Sequence, residues 1–135
     1  MTREKFIKVL EKKRYYYEIE GDKIIVTDRG YVNLRSLKTL PPGVEFKNGC
    51  NVWLDKLETL PPGVEFNNYS WIPHNGGNVY LMSLKTIPPG VEFNNVGDVN
   101  LESLIGGYLH KWNGNIEGID SNMLLNSMIS KGMFI

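Results

Sequence analysis

The chain has 135 residues, with 15 Lys plus Arg against 15 Asp plus Glu; this is one domain's length without net charge, which argues against a general nucleic-acid binder relying on neutralised phosphates. Cys50 is the one cysteine, which excludes an internal disulfide and fits a reducing, cytoplasmic setting. The start, MTREKFIKVLEKK, lacks the apolar core of a signal peptide, and no apolar run approaches the ~20 residues needed to span a membrane.

In chain order, residues 3–14 place Phe6, Ile7, Val9 and Leu10 at helical spacing after Thr2, a candidate N-cap. Lys5, Lys8, Lys12, Lys13 and Arg14 then read as the solvated face of that helix. YYYEI and KIIV flank Glu20-Gly21-Asp22, a hairpin signal with Gly-Asp as the two-residue loop. Residues 24–30, IIVTDRG, align with VEFNNVG at 91–97 and supply half a repeat. Residues 1–30 are therefore expected to form an N-terminal cap of helix and hairpin.

From residue 31 the sequence is periodic. LPPGVEF occurs at 40–46 and 60–66, and IPPGVEF at 87–93. The unit is 20 residues long, at 31–50, 51–70 and 78–97, with a truncated copy, DVNLESL, at 98–104. The apolar sets are Val32, Leu34, Leu37 and Leu40; Val52, Leu54, Leu57 and Leu60; and Val79, Leu81, Leu84 and Ile87. The V-x-L step has period two and predicts a short strand with both apolar residues inward. The following Leu steps predict a bend, and Pro-Pro-Gly a turn. Val-Glu-Phe predicts a second strand with Glu outward. Asn48, Asn68 and Asn95 close the units at equivalent positions, suited to stacked amides that bond to each other and to corner backbone groups.

One interruption breaks the period. Seven extra residues fall within Tyr69–Gly77, YSWIPHNGG. After the array, Ile105-Gly106-Gly107 replaces the expected Lys-Thr-Leu. A second helix follows, with Asp120 or Ser121 as cap, Leu124, Leu125, Met128 and Ile129 on one face, and Gly132 at C′. The whole reads as a single domain, 1–135: cap 1–30, repeat array 31–104, C-terminal cap 105–135.

The pattern V-x-L-x-x-L-x-x-L-P resembles a leucine-rich repeat near the short end of that family's range. It departs where Phe-Asn-Asn stands in place of an Asn/Cys-x-Leu step, and no segment between units reads as a helix. The unit is also similar to the V-Y-L-x-S-L-x-x-L-P-x-G-V-x-F-N-N repeats of hypothetical proteins of bacteria and their phages. The resemblance implies a mainly β fold: a short parallel, leucine-rich-repeat-like β-solenoid of 20-residue coils with two parallel sheets and capped ends.

Catalytic signatures are missing. The two histidines, His74 and His110, have no second metal-type ligand at short spacing, and there is no G-x-S-x-G, P-loop or G-x-G-x-x-G. No enzyme, metal or cofactor is expected. Glu45, Glu65 and Glu92 form an outward lane, read as a solvated strand face relieved by neighbouring Lys. The other outward lane is Asn33, Trp53, Tyr80 and Asn100, flanked by Arg35, Asp55, Met82 and Glu102. Exposed aromatics of this kind serve contact, and insertions in repeat arrays often lie on the binding face. The expected binding residues are Trp53, Tyr80, Asn33 and Met82 of the lane and Tyr69, Trp71, Ile72 and His74 of the insertion. They point to a non-enzymatic protein–protein interaction module. The resemblance and the compact size narrow this to a mobile-element inhibitor of a bacterial defence system, such as an anti-CRISPR protein. Carbohydrate binding on Trp53, Tyr80 and Trp71 is the alternative, and an enzyme using the Glu lane the third reading.

Overall fold

Each repeat delivers one strand to each of two parallel sheets. The computed structural model describes residues 1–71, 76–104, 115–116 and 119–135. Its elements in chain order are α1 (Arg3–Lys12), β1 (Tyr17–Glu20), β2 (Lys23–Val26), β3 (Val32–Asn33), β4 (Val44–Phe46), β5 (Val52–Trp53), β6 (Glu65–Phe66), β7 (Val79–Tyr80), β8 (Glu92–Phe93), β9 (Val99–Asn100), β10 (Asn115–Ile116), β11 (Ile119–Asp120) and α2 (Ser121–Ser130). The V-x-L strands form the sheet β3-β5-β7-β9. The Val-Glu-Phe strands extend the N-terminal hairpin into the sheet β1-β2-β4-β6-β8. The fold is mainly β, with parallel sheets and two short helices.

Strands of two or three residues have no stability alone, so they depend on pairing between repeats. Val32 pairs with Val52, Val52 with Val79 and Val79 with Val99. Glu45, Glu65 and Glu92 pair in the same way, as do Phe46, Phe66 and Phe93. Main-chain bonds continue beyond the strands, as in Leu34 N–H to Trp53 C=O (2.9 Å) and Asn67 N–H to Phe46 C=O (2.7 Å). The expected inward set (Val, three Leu or Ile, Val and Phe per unit) is buried in one cluster with Phe6 and Leu10 of α1. The phenylalanines stack almost parallel, with centroids 5.2 and 4.8 Å apart. The three Pro-Pro-Gly turns share a left-handed glycine: Gly43, Gly63 and Gly90 have φ of 80°, 84° and 96°.

Three buried asparagines fix the opposite corner. Asn48 Nδ2 donates to the carbonyls of Gly30, Cys50 and Asn51 at 3.1–3.2 Å. Asn68 donates to Cys50 and Asn78, and Asn95 to Gly77, Gly97 and Asp98. Each amide thus ties a corner to the corner before it. Its targets are backbone carbonyls, as half of the sequence expectation had it. The Oδ1 atoms of Asn48 and Asn68 are buried without a hydrogen-bond partner among the described residues.

At the N-terminal end, Thr2 caps α1 by accepting the Lys5 N–H at 3.2 Å. Gly21-Asp22 closes the hairpin between Glu20 and Lys23. Ile24 pairs with Val44 and Val26 with Phe46, so β2 takes the register of a Val-Glu-Phe strand. In α2, Leu125 and Ile129 are buried, whereas Leu124 is exposed, so the apolar face is narrower than expected. Asn126 was not foreseen. Its Oδ1 accepts the Phe93 N–H at 2.7 Å and its Nδ2 donates to the Phe93 C=O at 3.0 Å. One side-chain amide thus stands in for the next strand on the edge of β8. The antiparallel pair β10–β11 was also unforeseen, because two-residue strands carry no periodicity. Gly106 and Gly107 lie outside the described residues.

Both helices end in the same motif. Gly132 N–H reaches Ile129 C=O and Met133 N–H reaches Met128 C=O, with Gly132 at φ 72°. In α1 the matching bonds run from Arg14 to Glu11 and from Tyr15 to Leu10, with Arg14 at φ 61°. A residue with a Cβ is disfavoured there by about 1–2 kcal/mol. Arg14→Gly should therefore stabilise the protein by about 0.5–1 kcal/mol in urea melts, after the entropy that glycine adds to the unfolded chain. Asn126→Ala leaves the Phe93 amide and carbonyl unpaired, and should cost about 1–3 kcal/mol. Hydrogen exchange at the Phe93 amide should accelerate with it.

Candidate functional site

The outward position after each lane valine points away from the core because side chains alternate along a strand. Trp53 and Tyr80 sit there as register partners, their rings 5.9 Å apart and 26° from parallel. Tyr31 adds a third ring, 5.2 Å from Trp53. The Arg35 guanidinium lies 4.4 Å from the Trp53 ring centre and its Nε is 3.4 Å from Asp55 Oδ2. Trp53, Tyr80 and Met82 are half-buried, while Tyr31 is 53% exposed. The result is a continuous aromatic row with a cation laid on its centre.

The asparagines at the ends of this lane are used internally. Asn33 Oδ1 accepts the Arg35 N–H (3.1 Å), and Asn100 Oδ1 accepts the Glu102 N–H (3.2 Å), both as local Asx turns. The N–H of Asn33 donates to the Tyr15 hydroxyl at 3.0 Å. The N-terminal segment therefore meets the lane at its first strand. Burial raises the Asp55 carboxyl pKa above its ordinary value, and the Arg35 charge opposes this only in part. Asp55 Oδ1 is buried without a hydrogen-bond partner among the described residues.

The described part of the insertion forms a second group. Tyr69 and Trp71 are 42% and 64% exposed, and with Arg29 they line an open notch of about 350 Å³. The indole N–H of Trp71 donates to the Arg29 C=O at 2.9 Å. No ring contact joins this group to the Tyr31–Trp53–Tyr80 row among the described residues. Ile72 and His74, expected to share the surface, lie outside the described residues, as does His110. The extra residues leave the register intact. Val52 pairs with Val79 and Glu65 with Glu92, so the pairing on both sides of the added residues keeps the register of the repeat.

The Glu lane departs from the expected solvated face. Glu45 is buried, Glu65 half-buried and Glu92 exposed. Lys23 Nζ lies 3.2 Å from Glu45 and 3.8 Å from Glu65, and Lys47 Nζ lies 3.4 Å from Glu45. Asn67 Nδ2 donates to Glu45 Oε2 at 3.1 Å. The expectation of neighbouring lysines holds, and that of a fully solvated face does not. Burial pushes the Glu45 pKa up, but the Lys23 hydrogen bond, the Lys47 charge and the Asn67 amide together hold it below the ordinary value. Lys23 is raised, first by its bond to Glu45 and then by the charge of Glu65.

Sequence reasoning passed over Tyr31 and Arg29. Tyr31 occupies the position held by Asn51, Asn78 and Asp98 in later units, and that substitution was the available signal. Arg29 precedes the array, where only the half-repeat alignment marks it. Among the described residues, no group of three His, Cys, Asp or Glu could hold a metal, and no helix is long and apolar enough to cross a membrane. No protein-family model, curated protein or solved structure matches the chain.

The Glu45 network makes a pH prediction. A depressed carboxylate contributes stability above its unfolded pKa of about 4.3, lost as pH falls through the lower folded value. Lys23 contributes below its unfolded value of about 10.4, and loses that as pH rises through its raised folded value. Glu45→Gln should lower stability at pH 7 by about 1 kcal/mol and flatten the acid limb of a stability–pH profile. An acid limb as steep as that of the parent would assign the titration to other carboxylates.

Proposed function

We propose that the chain is a short parallel, leucine-rich-repeat-like β-solenoid that acts as a non-enzymatic protein-binding module. The carrying observation is the row Tyr31–Trp53–Tyr80, three rings in sequence on one outward sheet face. Aromatic residues and arginine dominate the energetics of protein interfaces, and Arg35 lies on the middle ring. Tyr69 and Trp71 add exposed rings at the neighbouring corner.

Sugar stacking needs a free ring face. Trp53 has Tyr31, Tyr80 and Arg35 around it, which supports the protein reading over a carbohydrate site. An enzyme using the Glu lane ranks third, because Glu45 and Glu65 are already engaged by Lys23 and Asn67. The narrower proposal, an inhibitor of a bacterial defence system from a mobile element, rests on the repeat's resemblance and the compact size.

The test is capture of a partner from a lysate of the source organism by the full-length protein, followed by affinity measurement. Trp53→Ala and Trp71→Ala should each weaken binding by about 30-fold or more, the effect of removing a hot-spot residue, with little change in melting temperature. Normal binding by both variants and failure of Glu65→Gln would move the working face to the other sheet. Saturable binding to glycans in place of a protein would favour the carbohydrate reading.

A further inference from the structure

Arg29, Gly49, Tyr69 and Val96 stand in one column, each five positions after an aligned Ile24, Val44, Val64 or Val91. Main-chain bonds fix the column: Gly49 N–H to Asp28 C=O, Tyr69 N–H to Asn48 C=O and Val96 N–H to Asn68 C=O. Gly49 leaves a gap between Arg29 and Tyr69. The Trp71 indole occupies that gap: a Cβ at Gly49 would sit 3.0 Å from Trp71 Cδ1 and collide with the Arg29 carbonyl oxygen. Trp71 is thus pinned by its N–H to Arg29 and by its fit on Gly49, yet most of its surface stays exposed. An exposed ring held in one place loses little freedom on binding.

The charge of the notch is equally specific. The Arg29 side chain makes no ion pair or hydrogen bond among the described residues. Its sequence neighbour Asp28 is occupied, accepting the Tyr16 and Gly30 N–H groups at 3.0 and 3.1 Å. Arg29 also lines an adjoining cleft with Tyr16, Tyr17, Glu18 and Thr27, where Glu18 forms no ion pair with it. Arg29 lines the notch with Tyr69 and Trp71, and its guanidinium has no carboxylate partner among the described residues. A free cation beside two aromatic residues complements a carboxylate carried on an apolar stem.

We propose that the Arg29–Tyr69–Trp71 notch docks an acidic segment of a protein partner, with a carboxylate on the Arg29 guanidinium and its apolar stem between the two rings. This rests on the protein-binding reading and names the chemistry of the partner at one patch.

The test uses the full chain and an acetylated, amidated peptide alternating glutamate with leucine. The Arg29 Nε–H and Trp71 indole N–H resonances are followed by NMR. Both should shift saturably, and the shifts should weaken as salt is raised. Arg29→Gln removes the charge but keeps the carbonyl that holds Trp71, and should weaken binding at least about tenfold. The same peptide with glutamine for glutamate should not bind. Absence of a saturable shift, an equal response in Arg29→Gln, or equal binding of the glutamine peptide would overturn the inference. So would equal shifts with inorganic phosphate, which would mark a general anion site, or shifts produced by raising protein concentration alone, which would make a second copy the occupant. None of these outcomes bears on partner capture through Trp53, so the two readings fail separately.

Discussion

Every strand in the array depends on its neighbour. Two-residue strands gain nothing from their own sequence, so the parallel register between repeats is the constraint on which the structure rests. Register matches like with like. For the apolar positions this is favourable: valines pair with valines, and Phe46, Phe66 and Phe93 form a stack that excludes water from the core. The same rule requires both ends to be closed. Asn126 supplies an amide to the last Val-Glu-Phe strand, and the Tyr15 hydroxyl receives an N–H from the first lane strand. An edge without such partners would be open to pairing with another chain.

Matching like with like is costly for charge. Glu45, Glu65 and Glu92 are brought into line by pairing that serves the phenylalanines beside them. Part of the relief comes from outside the repeat. Lys23 belongs to the hairpin and reaches two of the three glutamates. The hairpin therefore has an electrostatic role besides extending the sheet. Burial alone would favour protonated Glu45; with Lys23, Lys47 and Asn67 around it, the carboxylate form prevails.

The fold was largely legible in the sequence because repetition reports contacts directly. Residues one period apart become register partners, and even the 20-residue spacing and its interruption at 69–77 transfer to the pairings of Val52 with Val79 and Val79 with Val99. Features that occur once were less legible. Asn126, β10 and β11 have no copy to compare with. Burial of Glu45 was missed for a related reason: alternation says which way a side chain points, but not that Lys23 of the hairpin and Lys47, two residues on, will both reach it. At the candidate site, the Trp53–Tyr80 pair was legible as a period-two outward position. Arg35 was legible as a flank of the lane, but its place on the Trp53 ring, the addition of Tyr31 to the row and the use of Asn33 in a local turn were not.

The same logic decides which surface features speak of function. A lane of identical residues, such as the glutamates, follows from duplication of the unit and carries little information about a ligand. Departures from the repeat carry more, because register does not require them. Asn33 and Asn100 close the lane with Asx turns that serve the backbone, whereas Trp53 and Tyr80 between them give up that turn chemistry for aromatic area. Gly49 is not such a departure: its column also holds Arg29, Tyr69 and Val96 and keeps no residue constant. A side chain there would strike the Arg29 carbonyl oxygen, so the stacking of the backbone itself calls for glycine. The features that register leaves unexplained are the rings of Trp53 and Tyr80 and the inserted Trp71, and each group lies beside an arginine.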